Sequence, residues 1–188
     1  MTEQVAQRIM IVGGSGSGKT WLTHHLATLG RLPAHHVDGM KWRPRFRRRR
    51  LTRVSAMTRK VHAKPCWILE GAHYETAAER VDRADALIWM EVSRPVRVLR
   101  VIWRAIRYSG KVRPAMSPGC TERLGPHTIR VVRHAWVSPD IHRPFVEEMI
   151  ATAPPHLRVI HLRSGWQARR FLRACRPAPD GPGVILPA

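Results

Sequence analysis

Residues 8–20 read Arg8-Ile9-Met10-Ile11-Val12-Gly13-Gly14-Ser15-Gly16-Ser17-Gly18-Lys19-Thr20, and this stretch decides the fold. A short, β-rich apolar run stopped by two glycines has the pattern of a buried strand. From Gly13 the chain matches G-x-x-x-x-G-K-[ST] in full, and Trp21, Leu22, Leu26 and Leu29 follow at helical spacing. The glycines let the backbone curl so that successive N–H groups face a hollow of phosphate size, and the helix behind adds its positive end. In such a loop Lys19 reaches the β- and γ-phosphates and Thr20 holds Mg²⁺ through its hydroxyl. Gly13, Gly14, Ser15, Gly16, Ser17, Gly18, Lys19 and Thr20 are therefore the expected cradle of a nucleoside triphosphate, ATP with Mg²⁺.

Outward from the loop, strand and helix signals alternate. Ala34 to Val37 reads as a second strand ending at Asp38-Gly39, and a helix is expected over about 53–63. Trp67-Ile68-Leu69 is a third strand ending in Glu70-Gly71, and Ala86 to Met90 is a fourth. A helix follows from Pro95 to Tyr108, since proline suits the first helical turn. Gly110, Pro114, Pro118, Gly119 and Gly125-Pro126 mark an irregular excursion with the look of a lid over about 108–127. Two helices near 128–137 and 140–152 are expected next, then a fifth strand at Arg158 to Leu162 and a helix capped by Ser164. Residues 1–176 read as one domain and 177–188 as a mobile tail. This order predicts a three-layer α/β fold with a five-stranded parallel sheet, which binds ligands at the carboxyl ends of its strands. Asp38 and Glu70 both fall there. Glu70 is the expected acid of the Mg²⁺ shell beside Thr20, and Asp38 would orient an acceptor hydroxyl or join that shell.

The chain has 188 residues with 33 Lys+Arg against 13 Asp+Glu, a net charge of +20. Such a surplus suits phosphate-bearing partners, while an Arg-biased composition is the plain alternative. Residues 39–69 hold eleven Lys/Arg and no acid, with Arg47 to Arg50 at the centre, and could contact nucleic acid. On the helix from Pro95, arginines at 94, 97, 100, 104 and 107 share one face and Val98, Leu99, Val101, Ile102, Ala105 and Ile106 the other. A solvated basic face is the default reading. The alternative is that the far end, with Arg104, Arg107, Lys111 and Arg113, faces phosphates and neutralises a phosphoryl group in transit. No apolar stretch approaches the roughly 20 residues of a membrane span, and the first ten residues lack a secretory pattern. Cys66, Cys120 and Cys175 form neither a disulfide framework nor a zinc pattern, which points to the cytoplasm.

Taken in order, these motifs resemble those of the bacterial P-loop kinases known as DNA topology modulation proteins or adenylate-kinase-like proteins. The resemblance runs from about Arg8 to Leu172. It is carried by Gly13 to Thr20, Val37-Asp38-Gly39-Met40-Lys41-Trp42-Arg43-Pro44, Trp67-Ile68-Leu69-Glu70-Gly71, Arg80 with Arg83-Ala84-Asp85, and Tyr108 to Pro114 with Pro118-Gly119-Cys120. It implies a nucleoside-monophosphate-kinase-like fold with a mobile lid. It further implies a Walker-B-like role for Glu70, the acceptor side for Asp38, and phosphate contacts for Arg80, Arg104, Arg107 and Arg113. Where many relatives have Gly-Asn-Tyr this chain has Gly71-Ala72-His73-Tyr74. Three readings stay open: phosphate transfer from ATP to a small anionic acceptor, nucleotide-dependent nucleic-acid binding, and ATP hydrolysis without an acceptor.

Overall fold

The computed structural model describes residues 4–187. In chain order its elements are β1 (Val5–Ala6), β2 (Arg8–Gly13), α1 (Lys19–Gly30), β3 (Ala34–His36), α2 (Val37–Lys41), β4 (Trp42–Arg43), β5 (Arg47–Arg48) and α3 (Leu51–His62). There follow β6 (Trp67–Glu70), α4 (Ala77–Arg83), β7 (Ala86–Met90), α5 (Arg94–Arg107), α6 (Pro126–Ala151), β8 (Arg158–Leu162), α7 (Gly165–Ala174), β9 (Arg176–Pro177) and β10 (Val184–Ile185).

The main sheet is five-stranded and parallel throughout, in the order β3-β6-β2-β7-β8. Its strands are apolar on both faces because helices cover both. The two-residue period sorts them: Ile9, Ile11, Ile68 and Ile88 pack with Leu22 and Leu26 of α1 and Phe171 of α7. Met10, Val12, Leu69 and Leu87 pack on the other side with Val54 of α3, Val81 of α4 and Val146 of α6. The expected three-layer α/β fold is therefore present. Because all five strands run the same way, the loop after β2, the start of α2 after β3 and the end of β6 converge at one edge.

Three local expectations are corrected. The two helices near 128–137 and 140–152 are one helix, α6, which runs through Pro139 and Pro144. Each interior proline costs about 3 kcal/mol. Burial of Ala135, Val146 and Met149 along one side offsets that, and Arg97 holds Ser138 at the expected break. Asp38 does not follow a strand directly but stands in the first turn of α2. The segment 177–188, expected to be a mobile tail, instead packs through its described residues. β10 pairs with β1 and β9 in an antiparallel sheet, Val184 and Leu186 are buried, and Gly183 N donates to Gly30 O at 2.8 Å. Gly30 permits this, since a Cβ there would collide with Val184.

Candidate active site

The phosphate loop is held open from outside. Gly13 and Gly16 have φ of +143° and +78°, conformations that L side chains adopt only under strain. Arg97, buried at 3% exposure, donates from Nε to Ser15 O at 2.9 Å. Arg100 Nη1 donates to Ser17 O at 3.2 Å. With the loop carbonyls drawn toward α5, its N–H groups are the donors left for an anion.

Inside the loop three predicted residues meet. Thr20 Oγ1 donates to Glu70 Oε2 at 3.0 Å, and Lys19 Nζ lies 3.9 Å from Glu70 Oε1. Lys19 also donates to Gly14 O at 3.0 Å. Burial pushes its pKa down, opposed by Glu70 and Asp38. A desolvated ammonium curled onto its own loop gains when a phosphate joins it, which fits this cradle to a triphosphate. His36 Nδ1 lies 2.6 Å from Glu70 Oε2, a partner that sequence reasoning missed because His35-His36 lacks ligand spacing. Among the described residues no three His, Cys, Asp or Glu side chains gather as a metal site. The Thr20 hydroxyl beside the Glu70 carboxylate nonetheless matches the sparse oxygen set Mg²⁺ accepts when phosphates and water complete its shell.

Beside the loop opens a cleft of about 1150 Å³. Seven Lys/Arg line it against two carboxylates, Asp38 and Glu122, with Trp42 and Phe46 of the hairpin wall and His127 and His134 of α6. Asp38 lies 3.5 Å from Arg113 Nη2 and keeps 51% of its side chain open. Burial raises its pKa, but Arg113, Lys19, Lys41 and Arg104 together outweigh that and hold it below the usual carboxylate range. Arg104 lines the same cleft, with a buried Nε that has no partner among the described residues. Burial, then Arg113, lowers its pKa to about 10. Arg113 also pairs with Glu122 at 3.1 Å.

The excursion expected as a lid roofs this cleft. Two isolated bridges, Ser109 with Glu122 and Val112 with Thr121, close it on itself. It hooks to the β4–β5 hairpin, where Gly119 O accepts from Arg45 N at 2.9 Å and Cys120 Sγ donates to Arg43 O at 3.0 Å.

Two expected phosphate ligands lie elsewhere. Arg107 is exposed, with its guanidinium 5.0 Å from the Trp103 ring centroid, so the turn of α5 carries it away from the cleft. Arg80 is fully buried and donates to Gly71 O at 3.2 Å and His73 O at 2.7 Å, bracing the turn after β6. In that turn His73 is buried on Ser55 at 2.9 Å, while Tyr74 bonds His142 Nδ1 at 2.6 Å. Arg97 and Arg100 were visible in the sequence only as part of a basic stripe. Nothing in the spacing showed that this stripe turns inward.

No family model and no curated protein matches this chain. Solved structures do. A shikimate kinase from Bacteroides thetaiotaomicron superposes with TM-score 0.56 at 16% identity, over 89% of this chain and 95% of its own. A shikimate kinase from Acinetobacter baumannii, in complex with shikimate, gives TM-score 0.55 at 17% identity over 89% of both chains. A gluconokinase from Sinorhizobium meliloti 1021 reaches TM-score 0.47 at 12% identity, too distant to weigh. The likeness to the shikimate kinases establishes the P-loop kinase fold. The resemblance to the DNA topology modulation group rests on the motifs alone.

Proposed function

We propose that this chain transfers the γ-phosphate of Mg·ATP to a small anionic acceptor bound in the 1150 Å³ cleft. The observation that carries the reading is the meeting of Lys19, Thr20 and Glu70, with Lys19 3.9 Å and Thr20 3.0 Å from the Glu70 carboxylate, in a loop whose Ser15 lines a cleft with seven Lys/Arg against two carboxylates.

Gly13 to Lys19 would cradle the β- and γ-phosphates, and Lys19 regains there the charge stabilisation that burial denies it. Thr20 and Glu70 would hold Mg²⁺, which supplies Lewis-acid neutralisation of the phosphate oxygens. Arg104 and Arg113 face the space between loop and roof, where negative charge spreads over the transferring group. Asp38 accepts a hydrogen bond from the acceptor hydroxyl. Its lowered pKa makes it an orienting group more than a strong base, which suffices because positioning dominates this chemistry. In the transfer a bond forms from the acceptor oxygen to the γ-phosphorus, the bridge to the β-phosphate breaks, and the hydroxyl proton leaves to solvent past Asp38. The excess of cleft cations selects an acceptor with its own phosphate or carboxylate.

The test is transfer from labelled ATP to a panel of nucleoside monophosphates and other phosphorylated or carboxylated metabolites, with Lys19→Ala as the control. One acceptor class should be labelled, and transfer should fall ~10²–10³-fold in the variant. ATP binding without labelling of any acceptor would overturn the kinase reading and leave an ATPase or a nucleotide-binding protein.

A further inference from the structure

The basic run at residues 47–50 lines a second cavity, outside the cleft. It measures about 770 Å³ and is bounded by Arg43, Arg48, Arg49, Arg50, Thr52 and Arg53, with no carboxylate. Among the described residues, none of these five guanidiniums takes part in an ion pair. Arg49 Nε is buried with no hydrogen-bond partner. Helix α3 begins at the same place, without a side-chain cap and without an acid in its first turn, so its free N–H groups add to the positive field. Like charges held this close repel one another, and an anion relieves both the repulsion and the unmet donors.

The lining also limits which anion. No aromatic side chain borders the cavity, so nothing there stacks a base. Five of the seven lining residues are arginines, a density of charge that favours a compact, multiply charged ligand over a strand. We infer that this cavity binds a small oligophosphate, a ligand with two or more adjacent phosphates, at a site separate from the catalytic cleft.

The position of the cavity couples it to catalysis. Arg48 lines both the cavity and the cleft, and the β4–β5 hairpin is the wall between them. That hairpin holds the roof through Arg45 N to Gly119 O and Cys120 to Arg43 O. A ligand that fixes the arginines fixes the hairpin, and with it segment 108–125. The site is therefore regulatory: occupancy favours the roofed cleft.

Calorimetric titration of the full chain with inorganic tripolyphosphate tests this, using wild type, Lys19→Ala and the double variant Arg50→Gln/Arg53→Gln. Both arginines are exposed and outside the cleft, so the fold and the phosphate loop are left intact. Lys19→Ala should retain a binding event that the double change, made in the same background, weakens at least ~tenfold. In Lys19→Ala, tripolyphosphate should also slow amide exchange over 108–125. Equal titrations with and without Arg50 and Arg53 would overturn the site, and unchanged exchange would overturn the coupling. Tight binding of a short single-stranded oligonucleotide with none of tripolyphosphate would make this a nucleic-acid surface instead.

Discussion

Replacing Glu70 by Gln removes one charge and almost no volume, so it isolates what the carboxylate does electrostatically. Lys19 Nζ lies 3.9 Å from Glu70 Oε1, with side-chain exposures of only 13% and 8%. At an effective dielectric of ~20 that separation corresponds to ~4 kcal/mol as an upper limit. His36 and Thr20 share the same carboxylate at 2.6 and 3.0 Å, and water and side-chain relaxation absorb part of the change. The sign follows from the causes: burial lowers the Lys19 pKa and Glu70 raises it, so without Glu70 it falls further. Lys19 then loses its charge at lower pH, and the alkaline limb of ATP binding moves down the pH scale. At pH values where Lys19 is still charged, metal-free ATP should bind Glu70→Gln at least as tightly as wild type, because a carboxylate beside the phosphates has gone. Mg²⁺ should no longer strengthen binding, and transfer should fall ~10²–10³-fold. Anisotropy of a fluorescent ATP analogue, measured from about pH 6 to about pH 10 with and without Mg²⁺, reads the first two effects. An unmoved alkaline limb together with an undiminished Mg²⁺ response would refute the reasoning.

Three further perturbations test other parts of the structure. Burial, reinforced by His134 and the nearby Lys19, Lys41 and Arg97, lowers the His142 pKa from 6.5 to about 4, so its neutral ring accepts the Tyr74 hydroxyl. The unfolded chain takes up that proton first, so stability is full above pH ~6.5 and declines as pH falls toward ~4, by ~1–2 kcal/mol after screening of a partly open ring; His142→Gln should flatten that limb in urea titrations. Deleting 177–188 uncovers the apolar surface that Val184 and Leu186 bury. Each buried side chain is worth ~1.5–3 kcal/mol before the entropy of ordering the strand, so the thermal midpoint should drop by ~4–8 °C, and no drop would mean the segment contributes nothing. Arg97→Leu loses the bonds to Ser15 O and Ser138 but also removes a buried charge. Stability should therefore change by only ~1–2 kcal/mol while the KM for ATP rises ~tenfold, and a lowered kcat at unchanged KM would show that Arg97 does not act through the loop.

Much of this arrangement was legible because its signals are local. The phosphate loop is one contiguous motif, and the strands ending at Glu70 and Met90 are apolar runs with clear stops. Glu70 was placed beside Thr20 because a parallel sheet puts all strand ends on one edge, and the 3.0 Å contact agrees. What was not legible depends on packing between distant segments. Pro139 and Pro144 are local helix breakers, and only contacts with α5 and the sheet show why α6 continues through them. The Pro/Gly-rich end of the chain has the composition of a loose tail, yet Val184 finds the gap that Gly30 leaves. Arg80 and Arg107 both looked like phosphate ligands by charge and order. Burial claimed the first for the turn after β6, and the direction of one helical turn took the second away from the cleft.

Helix α5 shows the limit most clearly. Its periodicity separates an arginine face from an apolar face, and the usual rule sends the apolar face inward. Here Leu99, Trp103 and Ile106 are 65%, 60% and 60% exposed, while Arg97 is 3% exposed. Only Val101 and Ala105 of the apolar set are buried. Helical periodicity identifies two unlike faces but carries no information about what they meet. What they meet is the phosphate loop, whose outward carbonyls need donors that an apolar helix face could not supply. The accommodation is reciprocal: a Cβ on Gly14 would collide with the Arg97 guanidinium, so a position the loop motif leaves free is occupied by glycine to admit an arginine 83 residues later. The arginines of α5 that contact the loop are thus part of its construction, which assigns at least this portion of the +20 charge to structure instead of to composition alone.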